Sequence, residues 1–193
     1  MVNGKLVKEF ERRVFETPAD GKAFLDEWMS SPGVNVSRTV YHGSASFVGN
    51  MAHKFIKKVN SLESKVKESL STEKIKVAES YIKAFKELGK VIVSCFGQEL
   101  VPGYGGDIDQ FMTTYRSLQI SIPLKVHLLE THAMEFLIGK GEKHGLGYYS
   151  EQAMESMHKE LKSEWGSEKV DVKHPNFGDN LKKTIVRING KHL

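Results

Sequence analysis

Thr72-Glu-Lys-Ile75-Lys-Val-Ala78-Glu-Ser-Tyr81-Ile82-Lys-Ala-Phe85-Lys-Glu-Leu88-Gly-Lys-Val91-Ile92-Val-Ser-Cys95-Phe96 is the stretch from which the fold class can be read. Its apolar residues (Ile75, Ala78, Tyr81, Ile82, Phe85, Leu88, Val91, Ile92, Cys95) recur every three or four positions, the period of a helix with one buried stripe. Ser71 stands where an N-cap belongs and Gly97 where the helix must stop. A helix this long and this apolar on one side is packed against other helices, and Cys95 reads as a buried thiol inside it.

The same period continues outward on both sides. Upstream, a helix is expected from about Ala45 to Val59, burying Phe47, Met51, Phe55 and Ile56. Thr17-Pro18-Ala19-Asp20 is a helix start, with Thr as N-cap, Pro in the first turn and an acid behind it. That helix carries Phe24, Leu25 and Trp28 and ends near Ser31-Pro32-Gly33. Residues 2–15 place Val2, Leu6, Val7, Phe10 and Val14 at helical spacing. Between them, Val34 to Tyr41 alternates weakly and reads either as a short strand or as an extended linker, broken by His42-Gly43.

Downstream, Val101-Pro-Gly-Tyr-Gly-Gly106 is a loop. A short helix from Asp107 turns Ile108, Phe111, Met112, Tyr115 and Leu118 inward. After Ile122-Pro123, Val126, Leu129, Ala133, Phe136 and Leu137 make the buried face of the next helix. A glycine-rich connection, Gly139-Lys-Gly141 through Gly145-Leu-Gly147, leads to a helix capped by Ser150, with Met154, Met157, Leu161 and Trp165 on its apolar stripe. Val170-Asp-Val172 is a candidate strand and His174 to Gly178 a turn. A last helix points Leu181, Ile185 and Ile188 inward and Lys182, Lys183 and Arg187 outward. The expectation is an all-α, irregular bundle of about seven to eight helices, with at most one or two short strands, as one domain over 1–193.

Composition bounds the function. With 193 residues, 39% hydrophobic and 27% charged, the chain is long enough for a real core and ordinary for a globular protein. A formal charge of +4 and a pI near 9.0 suit an acidic partner such as DNA without requiring one. One cysteine allows no internal disulfide and no Cys-x-x-Cys zinc site, and fits a reducing compartment. No apolar run nears the ~20 residues of a membrane span. The charged N-terminus does not read as a secretory signal, so nucleus or cytoplasm is expected.

Three sets of side chains are candidates for chemistry. Glu151, Glu155, His158 and Lys162 share a polar stripe. It is either a solvated helix face or one that offers Glu155 to a cation. His53, Lys54, Lys57 and Lys58 share a face that either keeps a surface helix soluble or tracks phosphates. His127 and His132, five apart, lie roughly 140° apart on a regular helix, where they cannot meet at one ion.

No phosphate-binding glycine loop, nucleophile elbow or HExxH occurs. Three short motifs, in order, nevertheless resemble the C-terminal half of the RNase H-like catalytic core of Transib transposases and the V(D)J recombinase (recombination-activating) subunit. They are Val48-Gly49-Asn50-Met51-Ala52-His53-Lys54-Phe55, Lys125-Val-His127-x4-His132-Ala-Met-Glu-Phe136, and Leu146-Gly147-Tyr-Tyr-Ser150-Glu151-Gln-Ala-Met-Glu155-Ser156. A closer kinship is expected with uncharacterised transposon-borne invertebrate proteins.

The resemblance implies that Glu155 is the last carboxylate of a two-metal site for DNA strand cleavage and transfer, with Mg²⁺ or Mn²⁺ as cofactor. It implies that 45–140 is the family's helical insertion and that His127 and His132 match its zinc-ligating histidines. The family's two aspartates should lie upstream of residue 1, and the cysteines that complete the zinc site have no match here. The chain is thus expected to be a DNA-associated helical domain, catalytically incomplete without a missing N-terminal half. The alternative is a non-enzymatic helical scaffold or protein-interaction module forming a homo-oligomer.

Overall fold

The computed structural model describes residues 2–41, 44–46, 50–149, 163, 166 and 174–191. The fold is all-α, with one minimal hairpin. By its internal contacts the chain divides into two compact units, Met1–Tyr148 and Tyr149–Leu193.

In the first unit the elements run α1 (Val2–Val14), α2 (Pro18–Ser30), β1 (Thr39–Tyr41), β2 (Ser44–Ser46), α3 (Asn50–Lys57), α4 (Val59–Ser69), α5 (Thr72–Cys95) and α6 (Tyr104–Ser117). A final rod follows, made of α7 (Leu124–Leu128), a π-helical turn (Leu129–Ala133) and α8 (Met134–Gly139). The long periodic stretch is the hub: α5 packs against α1, α3, α4 and α6. Its predicted stripe is buried except for the half-buried Ile75 and Ile92, with Ala78, Phe85, Val91 and Cys95 fully inaccessible. Phe10, Phe55, Tyr81 and Phe85 meet there edge-on or tilted, at ring separations of 5.2 to 6.4 Å. Trp28 closes on Phe55 at 5.3 Å and donates its indole N–H to Ser61 Oγ.

Local chemistry sets the helix ends. Thr17 caps α2 by accepting the Asp20 N–H, as its sequence signature requires. α1 and α2 cross so closely that a Cβ on Gly21 would lie 2.4 Å from the Glu11 carbonyl oxygen, so only glycine fits. Ser71 has the extended backbone of an N-cap to α5, but its side chain makes no capping bond.

Three boundaries differ from the sequence reading. The helix expected from Ala45 begins at Asn50, because Ser44–Ser46 instead pairs antiparallel with Thr39–Tyr41. It also stops at Lys57: Lys58 leaves helical geometry (φ −100°, ψ 6°) and a new helix starts at Val59. The helix expected from Asp107 starts a turn earlier, at Tyr104, after Gly103 takes a left-handed conformation (φ 88°).

The glycine-rich connection closes the first unit. The last carbonyls of a helix lack intrahelical partners. Here Cys95 O accepts the Leu146 N–H and Gly97 O accepts the Gly147 N–H, while Gln98 O accepts from Gly145. A Cβ on Gly145 would sit 2.4 Å from Gly97 O, which is why glycine is needed at this docking point. Tyr104 donates its hydroxyl to Glu142 Oε1 at 2.7 Å, and His144 stacks flat on Tyr148 at 3.8 Å.

In the second unit the described structure is chiefly α9, Phe177–Lys191. Leu181 is half-buried, as its inward assignment predicts, and the side chains of Ile185 and Ile188 lie outside the described set. The helix begins at Phe177, inside the segment read as a turn. Candidate strand Val170–Val172, apolar residues Met154, Met157, Leu161 and Trp165, and Phe47 also lie outside the described residues.

Candidate nucleic-acid interface and histidine pair

On α3 the period of 3.6 turns Ala52 and Phe55 into the core and leaves His53 and Lys57 exposed. Lys54 on α3 and Lys58, just past its end, are half-buried. Three of the four residues predicted to face a polyanion therefore lie on α3, and Lys58 stands at the junction between α3 and α4. Cations near a helix C-terminus are favoured by the macrodipole, so the cluster costs the fold little. Among the described residues none of the three lysines has a carboxylate partner. By contrast, Lys65, Lys67, Lys74, Lys86 and Lys90 are all paired.

Beside this flank lies an open groove of about 430 Å³. Ile56, Val59, Val93 and Val101 supply aliphatic lining, and Lys57, Lys86 and Lys90 supply three ammonium groups. Lys86 is held by Glu63 and Lys90 by Glu87, and Asp107 also borders the groove. Both carboxylates are more buried than the lysines they hold, so a phosphate at this groove would compete with Glu63 and Glu87 for those ammonium groups. Lys86 and Lys90 were not singled out from sequence. Their i, i+4 spacing on the outer face of α5 was the available signal.

The histidines correct a geometric expectation. In a π-helical turn the hydrogen bond spans i to i+5, so residues five apart stack on one side. With Leu129–Ala133 in that conformation, the His127 and His132 rings come to 6.0 Å, nearly perpendicular at 87°. His132 Nδ1 also lies 3.5 Å from Glu135 Oε2. Both rings are exposed.

The same turn corrects the buried face. Leu137 is fully buried while Phe136, assigned inward, is 40% exposed. One extra residue in the turn brings Leu137, eight residues after Leu129, to the angle that a seventh residue would take in an α-helix.

The zinc expectation can be tested against this donor set. Two imidazoles make half of a tetrahedral zinc site. Among the described residues no cluster of three or more His, Cys, Asp or Glu is able to hold a metal. Glu155, with Glu151 and His158, falls outside the described residues, so its proposed divalent-metal role has no geometry here.

No family model, curated protein or solved structure matches this chain. Among the described residues no helix is long and apolar enough to cross a membrane.

Proposed function

We propose that this chain is a nucleic-acid-associated helical domain of transposase descent that binds duplex DNA and does not cut it alone. The supporting observation is the flank of α3. His53, Lys54 and Lys57 lie there with Lys58 just past the helix end, the three lysines without carboxylate partners among the described residues, beside a groove bordered by the ion-paired Lys86 and Lys90. Ammonium groups arranged this way neutralise phosphates and release counterions. The three recombinase-like motifs add descent to the reading, with Glu155 as the one metal-ligating carboxylate they supply. A two-metal site there would need further carboxylates, which would let Mg²⁺ or Mn²⁺ activate water for strand cleavage. A nuclear location follows from this reading, with the cytoplasm as the other compartment it allows.

Binding of a fluorescent 20-base-pair duplex measured against salt tests the proposal. Affinity should fall steeply from ~50 to ~200 mM salt, and Lys54→Gln/Lys57→Gln/Lys58→Gln should lower the log–log slope by about 2–3. Absence of binding at ~50 mM, or a slope unchanged by the triple substitution, overturns it.

A second reading, a homo-oligomeric scaffold, is favoured by one specific feature. Leu124 (69% exposed), Ile138 (57%), Leu128 and Phe136 stand open along the rod 124–139. Apolar side chains concentrated on one element mark a surface for another protein. A concentration-dependent mass in light scattering, abolished by Leu128→Glu, would favour it. A monomer at every concentration removes it.

A further inference from the structure

Glycine weakens a helix interior, yet Gly89 lies well inside α5. A Cβ there would stand 3.0 Å from Ile56 Cγ2, so its absence lets α3 settle close against α5. The groove of about 430 Å³ opens at this contact, with Ile56, Val59, Val93 and Val101 as its aliphatic wall. Val93 is 67% exposed and Val101 43%. Concave sites of this size, mostly aliphatic with a few polar groups at the edge, suit small organic ligands.

The charges narrow the class. Lys86 is held by Glu63 and Lys90 by Glu87, so these two ammonium groups are already neutralised. That leaves Lys57 from α3 and Asp107 from α6 on the groove's border. Among the described residues neither has a charged partner, and the two do not pair with each other. A polyanion gains one free cation here and is repelled by Asp107. A wholly apolar ligand uses neither charge. A ligand with a carboxylate at one end, an ammonium group at the other and apolar matter between them matches both charges and the aliphatic wall. Four aliphatic side chains have room for more than one apolar residue, which favours a peptide over a single amino acid.

We propose that this groove binds a short apolar peptide with free termini, its carboxylate on Lys57, its ammonium group on Asp107 and its side chains on Ile56, Val59, Val93 and Val101. The inference does not rest on the nucleic-acid reading and goes beyond it, assigning a second kind of ligand to the concavity beside the α3 cations.

Isothermal titration calorimetry of the full chain with trileucine tests it, and N-acetyl-trileucine and trileucine amide probe the two ends on the unaltered protein. Trileucine should bind with a Kd below ~1 mM, and each blocked peptide about three- to fivefold more weakly, the worth of one half-exposed ion pair. Lys57→Gln should weaken trileucine by that factor and leave the amide unchanged. Asp107→Asn should likewise weaken trileucine and leave the acetylated peptide unchanged. Val93→Ser, at a mostly exposed position, should weaken all three peptides with thermal unfolding unaltered. No binding heat with ~5 mM trileucine, or equal affinities for the three peptides, overturns the proposal. So does a Lys57→Gln loss as large for the amide as for the free acid, or leucine alone binding as tightly as trileucine.

Discussion

The bundle around α5 and the rod from Leu124 to Gly139 are made from similar residues yet built to different standards. In the bundle, aromatic rings interlock and carboxylates are tied down. Glu9 is gripped by Lys5, Arg12 and Arg13, Glu11 and Asp26 share Arg38, and Glu63 holds both Lys67 and Lys86. In the rod, Leu124 and Ile138 are more than half exposed, and one turn leaves the α-helical hydrogen-bond pattern. The difference separates what holds the chain together from what it offers to others. The rod spends apolar area on solvent and breaks helix regularity, and both are unfavourable unless a partner or ligand uses them.

A one-residue deletion gives the largest contrast. Removing Glu79 from α5 rotates Tyr81 to Cys95 by ~100° against their neighbours and turns the stripe out of the core. No cooperatively unfolding protein should remain, as read by near-UV circular dichroism and a flat urea curve. Removing Thr131 from the π-turn should do the reverse. It restores α-helical spacing, places Leu137 seven residues after Leu129, and should leave stability within about 1 kcal/mol of wild type. If both deletions unfold the chain, the rod is as constrained as the bundle and the comparison fails.

That pair also shows which parts could be read in sequence. A 24-residue helix with an uninterrupted apolar period announces itself, as does Thr17-Pro18, because local chemistry alone decides both. The π-turn gives no such sign. Leu129, Ala133, Phe136 and Leu137 suit an α-helix, and only packing determines that Leu137 goes in and Phe136 out. Nor do Ser44-Ala45-Ser46 carry strand propensity; they form a strand because Thr39–Tyr41 pairs with them. The cations of α3 were legible as a face, since helical spacing fixes them. Their junction with Lys86 and Lys90 was not, since it depends on how α3 crosses α5.

Titration probes the same contrast with a smaller effect. Hydrogen bonds from Lys5 to Glu9, and from Lys67 and Lys86 to Glu63, hold both carboxyls below their usual 4.5. A lowered folded pKa means the stabilisation is present above about pH 4.5 and lost as pH falls through the folded values. Burial, helped by Glu142, pushes the Tyr104 hydroxyl up to about 12, and burial does the same for Tyr115. Here the sign reverses: stability is complete below about pH 10 and lost as pH rises through about 12. Absorbance at 295 nm should show at least two of the six tyrosines titrating late, together with unfolding. If all six ionise near pH 10 with the fold intact, the interior assigned to α6 is wrong.

The smallest effect is the sharpest discriminator. Leu124 begins the rod and is 69% exposed, so Leu124→Ser removes little that folding has buried. Stability should move by less than about 0.5 kcal/mol in urea titrations. The same exchange at Leu88, 4% exposed on α5, should cost several times more through the cavity and the stranded hydroxyl. A loss above about 1.5 kcal/mol at Leu124 would mean that its side chain is covered in solution, as association would cover it. That loss should then grow with protein concentration. The exposed rod would then be half of an interface, and the scaffold reading would gain what the DNA reading does not need.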